Sequence, residues 1–415
     1  MVVIRYYLIY TREGFGVFNM LIPEDVSKVI KQIEGAGFKA YLAGGCVRDS
    51  VLNGNPKDYD IATDAKPTEI EEIFHDKKTL DVGKRFGTII LVLNNRQIEI
   101  TSFRADGTYS DGRRPDSVMF SKDVKEDVAR RDFTINAMVY NEEEGLIDLF
   151  GGREDLEKRI VRTVGKPDDR FNEDYLRMLR CIRFATRLDF QIEEETYKSI
   201  IKNAEKISKV SKERIRDEFL KILISDYPGR GIELLIETDL YKYIFPSVKS
   251  IDDIKVLNEV LIKSEKDELL RLAILFKFIG DGKDLELLRP SNDEKLVIKE
   301  VLKFDFGWSY SLEDVKRIMR DIPDPVLGYI ISAGFIIEKF KKNMIDFKEK
   351  REYIISNSLP YKISDLKIDG EDLKKLGFEP GPSIGDKLKE LNELVIREPE
   401  KNNKEFLLEY ISEVR

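Results

Sequence analysis

The chain has 415 residues, of which 42% are hydrophobic and 36% are charged, and its formal net charge is −8 at pH 7. This length allows about two to four domains. No apolar run approaches the ~20 residues that a membrane-spanning helix requires, so a membrane protein is excluded. The overall negative charge does not exclude a nucleic-acid partner, because Lys and Arg need to cluster on one face only.

Residues 1–19 form a predicted N-terminal extension. They include Arg5, Arg12 and Glu13 and have no small-residue cleavage pattern, so they do not look like a signal peptide. The two cysteines, Cys46 and Cys181, are far apart and have no CxxC or CxxH neighbour. Neither a disulfide framework nor a zinc site is therefore expected, and the expected compartment is the cytoplasm.

Short β-rich runs dominate the chain up to about residue 150 and are separated by turn signals such as NGNPKD. The runs are AYLAGG, YDIAT, TIILVL, QIEITSF, INAMVY and LIDLF. One clear helix is predicted among them, PTEIEEIF, which starts at Pro67 and has Thr68 as its N-cap. This part of the chain is predicted to be an α/β head.

Helical periodicity replaces this pattern after GGRED and continues toward the C-terminus. In NEDYLRMLRCIRFATRL, Leu176, Leu179 and Ile182 recur on one face and arginines recur on another. The sequence therefore predicts an α+β fold class, in which a mixed head is followed by an all-helical remainder.

Two aspartates in KDYDIAT, Asp58 and Asp60, share one face if this segment is a strand, with Tyr59 and Ile61 on the other face. Alone, the pair is well explained as a polar strand edge. Glu99 in RQIEITSF would add a third carboxylate if its strand neighbours the first. Such a cluster suits two Mg²⁺ ions, which prefer oxygen ligands and can act together in nucleotidyl transfer.

The segment GGCVRD places Gly44 and Gly45 at the start of a predicted helix and Arg48 about one turn into it. Glycines there let backbone N–H groups approach an anion, and Arg48 can add a bidentate phosphate contact. A tight turn without a ligand explains the same residues, so the segment supports a triphosphate site only together with the carboxylates.

A third block, RRDFTINAM, contains Arg131, Asp132 and Asn136 beside apolar residues. One interpretation is a surface helix cap in which Asp132 and Thr134 satisfy backbone N–H groups. The functional interpretation is an arginine that contacts the triphosphate and an Asp/Asn pair that orders the loop.

The fourth block is the helix that carries Asp174, Arg177, Arg180 and Arg183. Asp174 and Arg177 are three residues apart, and an i,i+3 ion pair is the ordinary explanation. Held rigidly, the same two side chains could bind the Watson–Crick edge of cytosine or adenine. Arg180 and Arg183 would extend a basic stripe toward phosphates.

Taken together and in this order, LAGGCVRD, DYDIAT, RRDFTINAM and NEDYLRMLRCIRFA resemble the class II tRNA nucleotidyltransferases, the family of CCA-adding enzymes and bacterial poly(A) polymerases. The resemblance implies a polymerase-β-like nucleotidyltransferase head over residues 20–150. It further implies an all-α neck (151–225), body (226–330) and tail (331–415). The implied partners are ATP, CTP and the acceptor and TΨC arms of tRNA, without DNA or a membrane.

The resemblance also implies a role for each motif residue. Gly44, Gly45 and Arg48 would form the triphosphate turn, and Arg131, with Asp132 and Asn136, would contact the nucleotide. Asp58, Asp60 and Glu99 would be the catalytic carboxylates that hold two Mg²⁺ ions. Asp174, Arg177, Arg180 and Arg183 would form the nucleotide-selecting helix.

The product is less well defined by the sequence. FRADGTYSDGRRPDSVMF resembles the flexible loop that supports A addition, which argues against CC-only addition. VGKRFGT mixes a poly(A) polymerase pattern with a CCA-adding pattern, so CCA addition, A-only addition and poly(A) synthesis stay open, with CCA addition favoured. A catalytically silent RNA-binding protein of the same fold is the alternative from another class, and the complete carboxylate and arginine sets argue against it.

One segment near the C-terminus, EKFKKNMIDFKEKREY, is a candidate for RNA contact. A solvated helical face explains it better, because acids are interspersed with its basic residues, which are Lys339, Lys341, Lys342, Lys348, Lys350 and Arg351.

Overall fold

The structure is a computed structural model that describes residues 18–93, 96–106, 118–247, 254–280 and 282–413. The chain divides into two compact units, which we call the N-terminal unit (Met1–Pro246) and the C-terminal unit (Ser247–Arg415). No helix in these described ranges is long and apolar enough to cross a membrane.

The strands, all in the N-terminal unit, are β1 Ala40–Ala43, β2 Asp60–Thr63, β3 Lys78–Gly83, β4 Thr88–Leu93, β5 Arg96–Ser102, β6 Arg104–Asp106, β7 Val118–Phe120, β8 Met138–Asn141, β9 Gly145–Asp148, β10 Ile160–Val161 and β11 Gln191–Ile192. Seven of them form one sheet in the order β3-β4-β5-β2-β1-β8-β9. The sheet is mixed, because β2 pairs with β5 in parallel and with β1 in antiparallel orientation.

All six β-rich runs contribute strands to this sheet, as predicted. The edge strand β3 was not predicted. Alternation of apolar residues explains the sheet, because one side of it packs around Tyr41, Ala62, Phe103, Ala137 and Val139.

The helices of the N-terminal unit are α1 Glu24–Gly35, α2 Gly45–Val51, α3 Pro67–Ile73, α4 Val124–Ala129, α5 Gly152–Glu157, α6 Pro167–Glu173, α7 Leu176–Leu188, α8 Glu194–Asn203, α9 Lys212–Leu223, α10 Pro228–Glu237 and α11 Tyr241–Ile244. The predicted apolar face of α7 is confirmed, since Leu176, Leu179 and Ile182 are buried.

The helix predicted to start at GGCVRD is confirmed as α2, whereas α1, which precedes the strands, and α4 were not predicted. The expected N-cap of α3 was wrong. Thr68 is not the N-cap of α3: the helix begins at Pro67, so Lys66 precedes it, and the Glu69 side chain accepts a hydrogen bond from the Lys66 N–H at 2.6 Å. Proline favours the first helical position because its missing N–H would be unsatisfied there.

The C-terminal unit is helical throughout its described residues, with α12 Ile254–Lys263, α13 Glu268–Ile279, α14 Asn292–Lys303, α15 Leu312–Asp321, α16 Asp324–Ile336, α17 Lys341–Ser356, α18 Gly370–Lys375, α19 Pro382–Arg397 and α20 Lys404–Glu413. Ser291 and Ser311 begin α14 and α15 with capping boxes. A mixed-sheet head followed mainly by helices confirms the α+β prediction. The prediction of an all-α neck was wrong, because β10 and β11 pair in parallel within residues 151–225. The boundaries between neck, body and tail remain predictions.

Candidate active site

The strand pair β2–β5 brings two of the three predicted carboxylates together. Asp60 and Glu99 are register partners on these adjacent parallel strands. Tyr59, Ile61 and Ile98 are buried beside them, so the two acidic side chains face away from the core as the alternation predicted. Neighbouring carboxylates on one face are the arrangement that the metal prediction required.

The electrostatics of Asp60 fit a cation site. Its side chain keeps contact with solvent. Partial burial, the neighbouring Glu99 carboxylate and, to a smaller extent, Asp58 nevertheless raise the pKa of Asp60 to about 6. The positive charge of Arg131 opposes this rise. A cation among these carboxylates would relieve their repulsion, and Mg²⁺ prefers such oxygen ligands.

Asp58 lies just before β2 and is exposed. Within the described ranges, no group of three or more His, Cys, Asp or Glu side chains is arranged to hold a metal ion. Carboxylate oxygens such as those of Asp58, Asp60 and Glu99 suit Mg²⁺ chemically, but the structure does not arrange the three as a metal site, so their joint coordination of Mg²⁺ remains a prediction.

Arg48 lies on α2 and is almost fully buried, with 3% of its surface exposed. Its Nη1 donates to the Asn136 Oδ1 at 2.7 Å, and its Nε donates to the Asp49 Oδ1 at 2.7 Å. Burial lowers the pKa of the guanidinium, and the Asp49 carboxylate opposes this change. Arg48 is thus a desolvated cation whose direction is fixed by two partners.

Asp132 and Asn136 connect this arginine to α7. The Asn136 Nδ2 donates to one carboxylate oxygen of Asp132 at 3.0 Å, and Arg180 donates to the other through Nε at 2.9 Å and Nη2 at 2.7 Å. Burial opposes ionisation of Asp132, but the charge of Arg180 and the bonds from Asn136 and Arg180 lower its pKa to about 2. The interpretation as a surface helix cap was wrong about the surface, because Asp132, Thr134 and Asn136 are buried, although the Asp132 Oδ1 does accept from the Phe133 N–H at 2.9 Å.

Arg131 is held by a buried acid that the sequence analysis missed. Its Nη2 donates to the Asp127 Oδ2 at 3.1 Å, and its Nη1 donates to the Asn136 backbone oxygen at 3.2 Å. The Gly44 backbone passes so close that a Cβ added there would lie 2.9 Å from the Arg131 Nη1. Gly44 also has a φ of 71°, which disfavours residues with a side chain. The backbone conformation therefore favours glycine, and a side chain at this position would also displace the Arg131 guanidinium.

Asp174 and Arg177 do not form the i,i+3 ion pair that their spacing suggested. Asp174 has an extended backbone between α6 and α7, and its Oδ1 accepts from the Leu176 N–H at 3.1 Å. Its Oδ2 accepts from the Arg214 Nη2 at 2.7 Å, while Arg177 donates to Glu173 instead. The helix begins after Asp174, so the assumed helical spacing did not apply.

Helix α9 supplies two partners that were not predicted, Arg214 for Asp174 and Glu218 for the arginines of α7. The Arg183 Nε donates to the Glu218 Oε2 at 2.5 Å, and the Arg180 Nη1 lies 3.7 Å from its Oε1. Glu218 is 4% exposed. Arg214 and Glu218 are one turn apart in KERIRDEF, a pattern that by itself indicates only an exposed ion pair.

Phe184 on α7 is a second feature that the sequence analysis missed. Its buried ring lies 5.2 Å from the Arg48 guanidinium, 5.6 Å from that of Arg180 and 4.0 Å from that of Arg183. Aromatic faces attract cations, more strongly when both are desolvated. The ring therefore connects the arginine of the glycine turn with two arginines of the predicted nucleotide-selecting helix.

The segments that bear on the product are described only in part. β6 and β7 pair as the base of the predicted flexible loop, whose residues 107–117 lie outside the described residues. In VGKRFGT, Lys84–Phe86 form a 3-10 turn and Gly87 has a φ of 94°.

The basic residues of EKFKKNMIDFKEKREY divide into two groups. Four are paired with acids, namely Lys341 with Glu338, Lys348 with Glu352, Lys350 with Asp346 and Arg351 with Asp324. Lys339 and Lys342 form no ion pair within the described part of the chain. Most of the segment thus has the character of a solvated helical face.

A mixed sheet with carboxylates on adjacent strands, joined to a buried arginine network, is the arrangement expected of a nucleotidyltransferase. The family described as Poly A polymerase head domain matches residues 40–162. A second, "Probable RNA and SrmB- binding site of polymerase A", matches residues 189–252. The tRNA nucleotidyltransferase domain 2 matches residues 337–411.

Whole-chain similarity agrees with these matches. The CCA-adding enzyme of Ligilactobacillus salivarius is 35% identical over 402 residues, which cover 94% of this chain and 96% of that protein. The CCA-adding enzyme of Limosilactobacillus reuteri is 36% identical over 407 residues, covering 95% and 97%. The structure of the Bacillus stearothermophilus CCA-adding enzyme in complex with CTP aligns with a TM-score of 0.75 at 28% identity, over 93% of this chain and 95% of that one. The chain belongs to this family of tRNA nucleotidyltransferases.

Proposed function

We propose that this protein adds CCA to the 3′ end of tRNA from CTP and ATP without a nucleic-acid template. The main structural support is the Asp60–Glu99 carboxylate pair beside a buried arginine network. The chain is also similar over nearly its full length to CCA-adding enzymes. In each addition the tRNA 3′-oxygen bonds to the α-phosphorus and loses its proton. The bond from the α-phosphorus to the β-phosphate oxygen breaks, and pyrophosphate leaves.

Three carboxylates, Asp58, Asp60 and Glu99, would hold two Mg²⁺ ions. Bound Mg²⁺ lowers the pKa of the attacking hydroxyl and stabilises charge on the triphosphate. The chain's own contribution is positioning: Arg48 and Arg131 are oriented by Asn136 and Asp127 before substrate arrives. A preorganised, partly desolvated cation stabilises developing phosphate charge without a reorganisation cost.

Nucleotide selection is proposed for Asp174 and Arg177. The carboxylate would accept from the exocyclic amine of cytosine or adenine, and the guanidinium would donate to a ring acceptor. Arg177 is held by Glu173 and donates to the Arg130 backbone oxygen at 3.1 Å. Arg180 and Arg183 are satisfied by Asp132 and Glu218, so they would fix α7 and add positive potential for the phosphates.

The remaining assignments are also proposals. Residues 20–150 would be the catalytic head, residues 151–225 the neck, residues 226–330 the body and residues 331–415 the tail that binds the acceptor and TΨC arms of tRNA. The protein would act in the cytoplasm, where its two buried free cysteines, Cys46 and Cys181, would stay reduced.

One experiment separates the products. CTP and ATP, one of them labelled, are supplied together with tRNAs that lack the 3′ trinucleotide, end after the first C or end after both Cs. CCA addition extends all three to one common length, A-only addition extends only the last with ATP, and poly(A) synthesis gives a long ladder. Asp60→Asn serves as the control, which should bind tRNA but incorporate at least about 100-fold more slowly. Binding without incorporation by the unaltered chain would instead indicate the catalytically silent protein.

A further inference from the structure

Trp308 is an exposed aromatic residue in the loop between α14 and α15. It is the only tryptophan of the chain, and 59% of its surface is exposed. An isolated exposed apolar side chain needs no explanation, so its surroundings decide whether it marks a binding surface.

The turn that carries Trp308 is held in place from two directions. The Trp308 N–H donates to the Asp305 backbone oxygen at 3.2 Å, and the Gly307 N–H donates to the Asp305 Oδ1 at 2.9 Å. From α17, the Asn343 Nδ2 donates to the Gly307 oxygen at 2.8 Å. The neighbouring Phe306 ring is buried and stacks on Phe340, with 5.6 Å between the centroids. A fixed turn therefore presents the indole to solvent.

The segment around Asn343 also carries two cations, Lys339 and Lys342, and the Lys339 ammonium lies 4.8 Å from the centre of the Phe340 ring. Both are exposed, and neither forms an ion pair within the described residues of the C-terminal unit. Glu338, the acid that precedes Lys339, pairs with Lys341 at 3.6 Å. Two exposed ammonium groups are therefore carried by the segment that contacts the Trp308 turn through Asn343 and Phe340.

We propose that Trp308, Lys339 and Lys342 form an RNA-binding surface, which we call the Trp308 surface. The indole would stack on an accessible base or ribose of tRNA, and the two ammonium groups would contact adjacent phosphates. Sequence-tolerant RNA binding combines such an aromatic platform with cations that follow the backbone. The inference rests on the proposed function and names where the C-terminal unit would contact the tRNA.

The single tryptophan makes a direct test in the intact chain. Adding tRNA at low salt should shift or quench the tryptophan emission and protect it from acrylamide, and added salt should reverse both effects. ATP or CTP alone should change neither. Unchanged emission and acrylamide quenching with tRNA fully bound, as judged by a labelled-tRNA binding assay, would overturn the proposal. A shift of the tryptophan emission wavelength with increasing protein concentration, in the absence of RNA, would also overturn the proposal, since the surface would then bind a second copy of the chain.

Substitutions provide an independent test by labelled-tRNA affinity. Trp308→Ala should weaken tRNA binding roughly tenfold, and Trp308→Tyr should retain most of the affinity because it keeps an aromatic face. Lys339→Ala and Lys342→Ala should each reduce the slope of log affinity against log salt by about 0.7–0.9. The matched controls are Tyr353→Ala, an aromatic residue 54% exposed on α17, and Lys374→Ala, a lysine paired with Glu371. Both controls should bind tRNA as the unaltered chain does.

The failures of the two proposals are distinguishable. A chain that adds no nucleotide to any tRNA refutes the proposed function. A chain that adds nucleotides normally, but whose tRNA affinity is the same in Trp308→Ala as in Tyr353→Ala, refutes the Trp308 surface alone. Trp308→Ala should raise the KM for tRNA, whereas the control Tyr353→Ala should leave it unchanged.

Discussion

At the residue scale, Asp60 couples the proposed metal site to the stability of the head. Its pKa of about 6 lies above the ordinary value of 3.8, because burial and the neighbouring carboxylates disfavour its charge. Folding is therefore favoured by the protonated form, and this contribution is lost as the pH rises through about 6. In metal-free buffer, Asp60→Asn should be more stable than the unaltered chain above pH ~7, and the difference should vanish below pH ~4.

Thermal unfolding across this pH range measures the difference. Asp386→Asn, which removes an exposed negative charge from the C-terminal unit, is the control and should show no such pH-dependent gain. Mg²⁺ should raise the melting temperature of the unaltered chain and leave that of Asp60→Asn nearly unchanged, because the carboxylate would then be a ligand. A constant difference at all pH values would argue against ionisation as its cause.

Arg177 tests the proposed base selection. Arg177→Ala should reduce discrimination between CTP or ATP and UTP about tenfold, since one hydrogen-bonding partner of the base would be lost. The measurement is kcat/KM for each nucleotide, together with tRNA affinity, which should change less. Arg187→Ala removes another arginine from α7, one that pairs with Asp49, and should leave the preference unchanged. Equal losses for all nucleotides in Arg177→Ala would assign it a positioning role only.

At the element scale, the turn between β1 and α2 is fixed by a glycine that also makes room for an arginine. Gly44 and Gly145 have nearly equal positive φ values, 71° and 73°, but only a Cβ at Gly44 would meet another residue, Arg131. Alanine at Gly145 should cost about 1 kcal/mol of stability through the backbone conformation, and alanine at Gly44 should cost more, about 1–3 kcal/mol, because its ψ of −122° lies outside the left-handed helical region. Only Gly44→Ala should also displace the guanidinium and lower nucleotide incorporation, about tenfold or more. Equal incorporation by the two variants would contradict this assignment.

Helix α9 stabilises α7 through a buried ion pair. Glu218→Gln should leave Arg183 buried without a charged partner and destabilise the chain by about 3 kcal/mol, as measured by urea unfolding. The adjacent exposed Asp217→Asn on the same helix is the matched control, with an expected change within about 0.5 kcal/mol. A Glu218→Gln variant as stable as its control would show that the pair is dispensable.

Periodic features were predictable from sequence because they depend on neighbouring residues. Alternation predicted the strands that carry Asp60 and Glu99, and the apolar repeat predicted the buried face of α7. The acids that pair with Arg180 and Arg183 were not predictable, because they come from elements distant along the chain. Asp132 bonds to Arg180, 48 positions away, and Arg183 bonds to Glu218, 35 positions away. Only the folded chain determines which opposite charges meet.

At the scale of the whole molecule, a chain of net charge −8 is proposed to bind a polyanion. It can do so only through local positive surfaces, whose contacts release counterions from the RNA. If about four or more phosphates are contacted, log affinity for tRNA should fall with log salt at a slope steeper than about −3. Titration of labelled tRNA between low and physiological salt measures this slope. The KM for ATP in the same buffers should change much less, because a buried arginine such as Arg48 is poorly screened. A tRNA affinity that does not change with salt concentration would contradict the proposed electrostatic binding and would favour recognition through uncharged contacts.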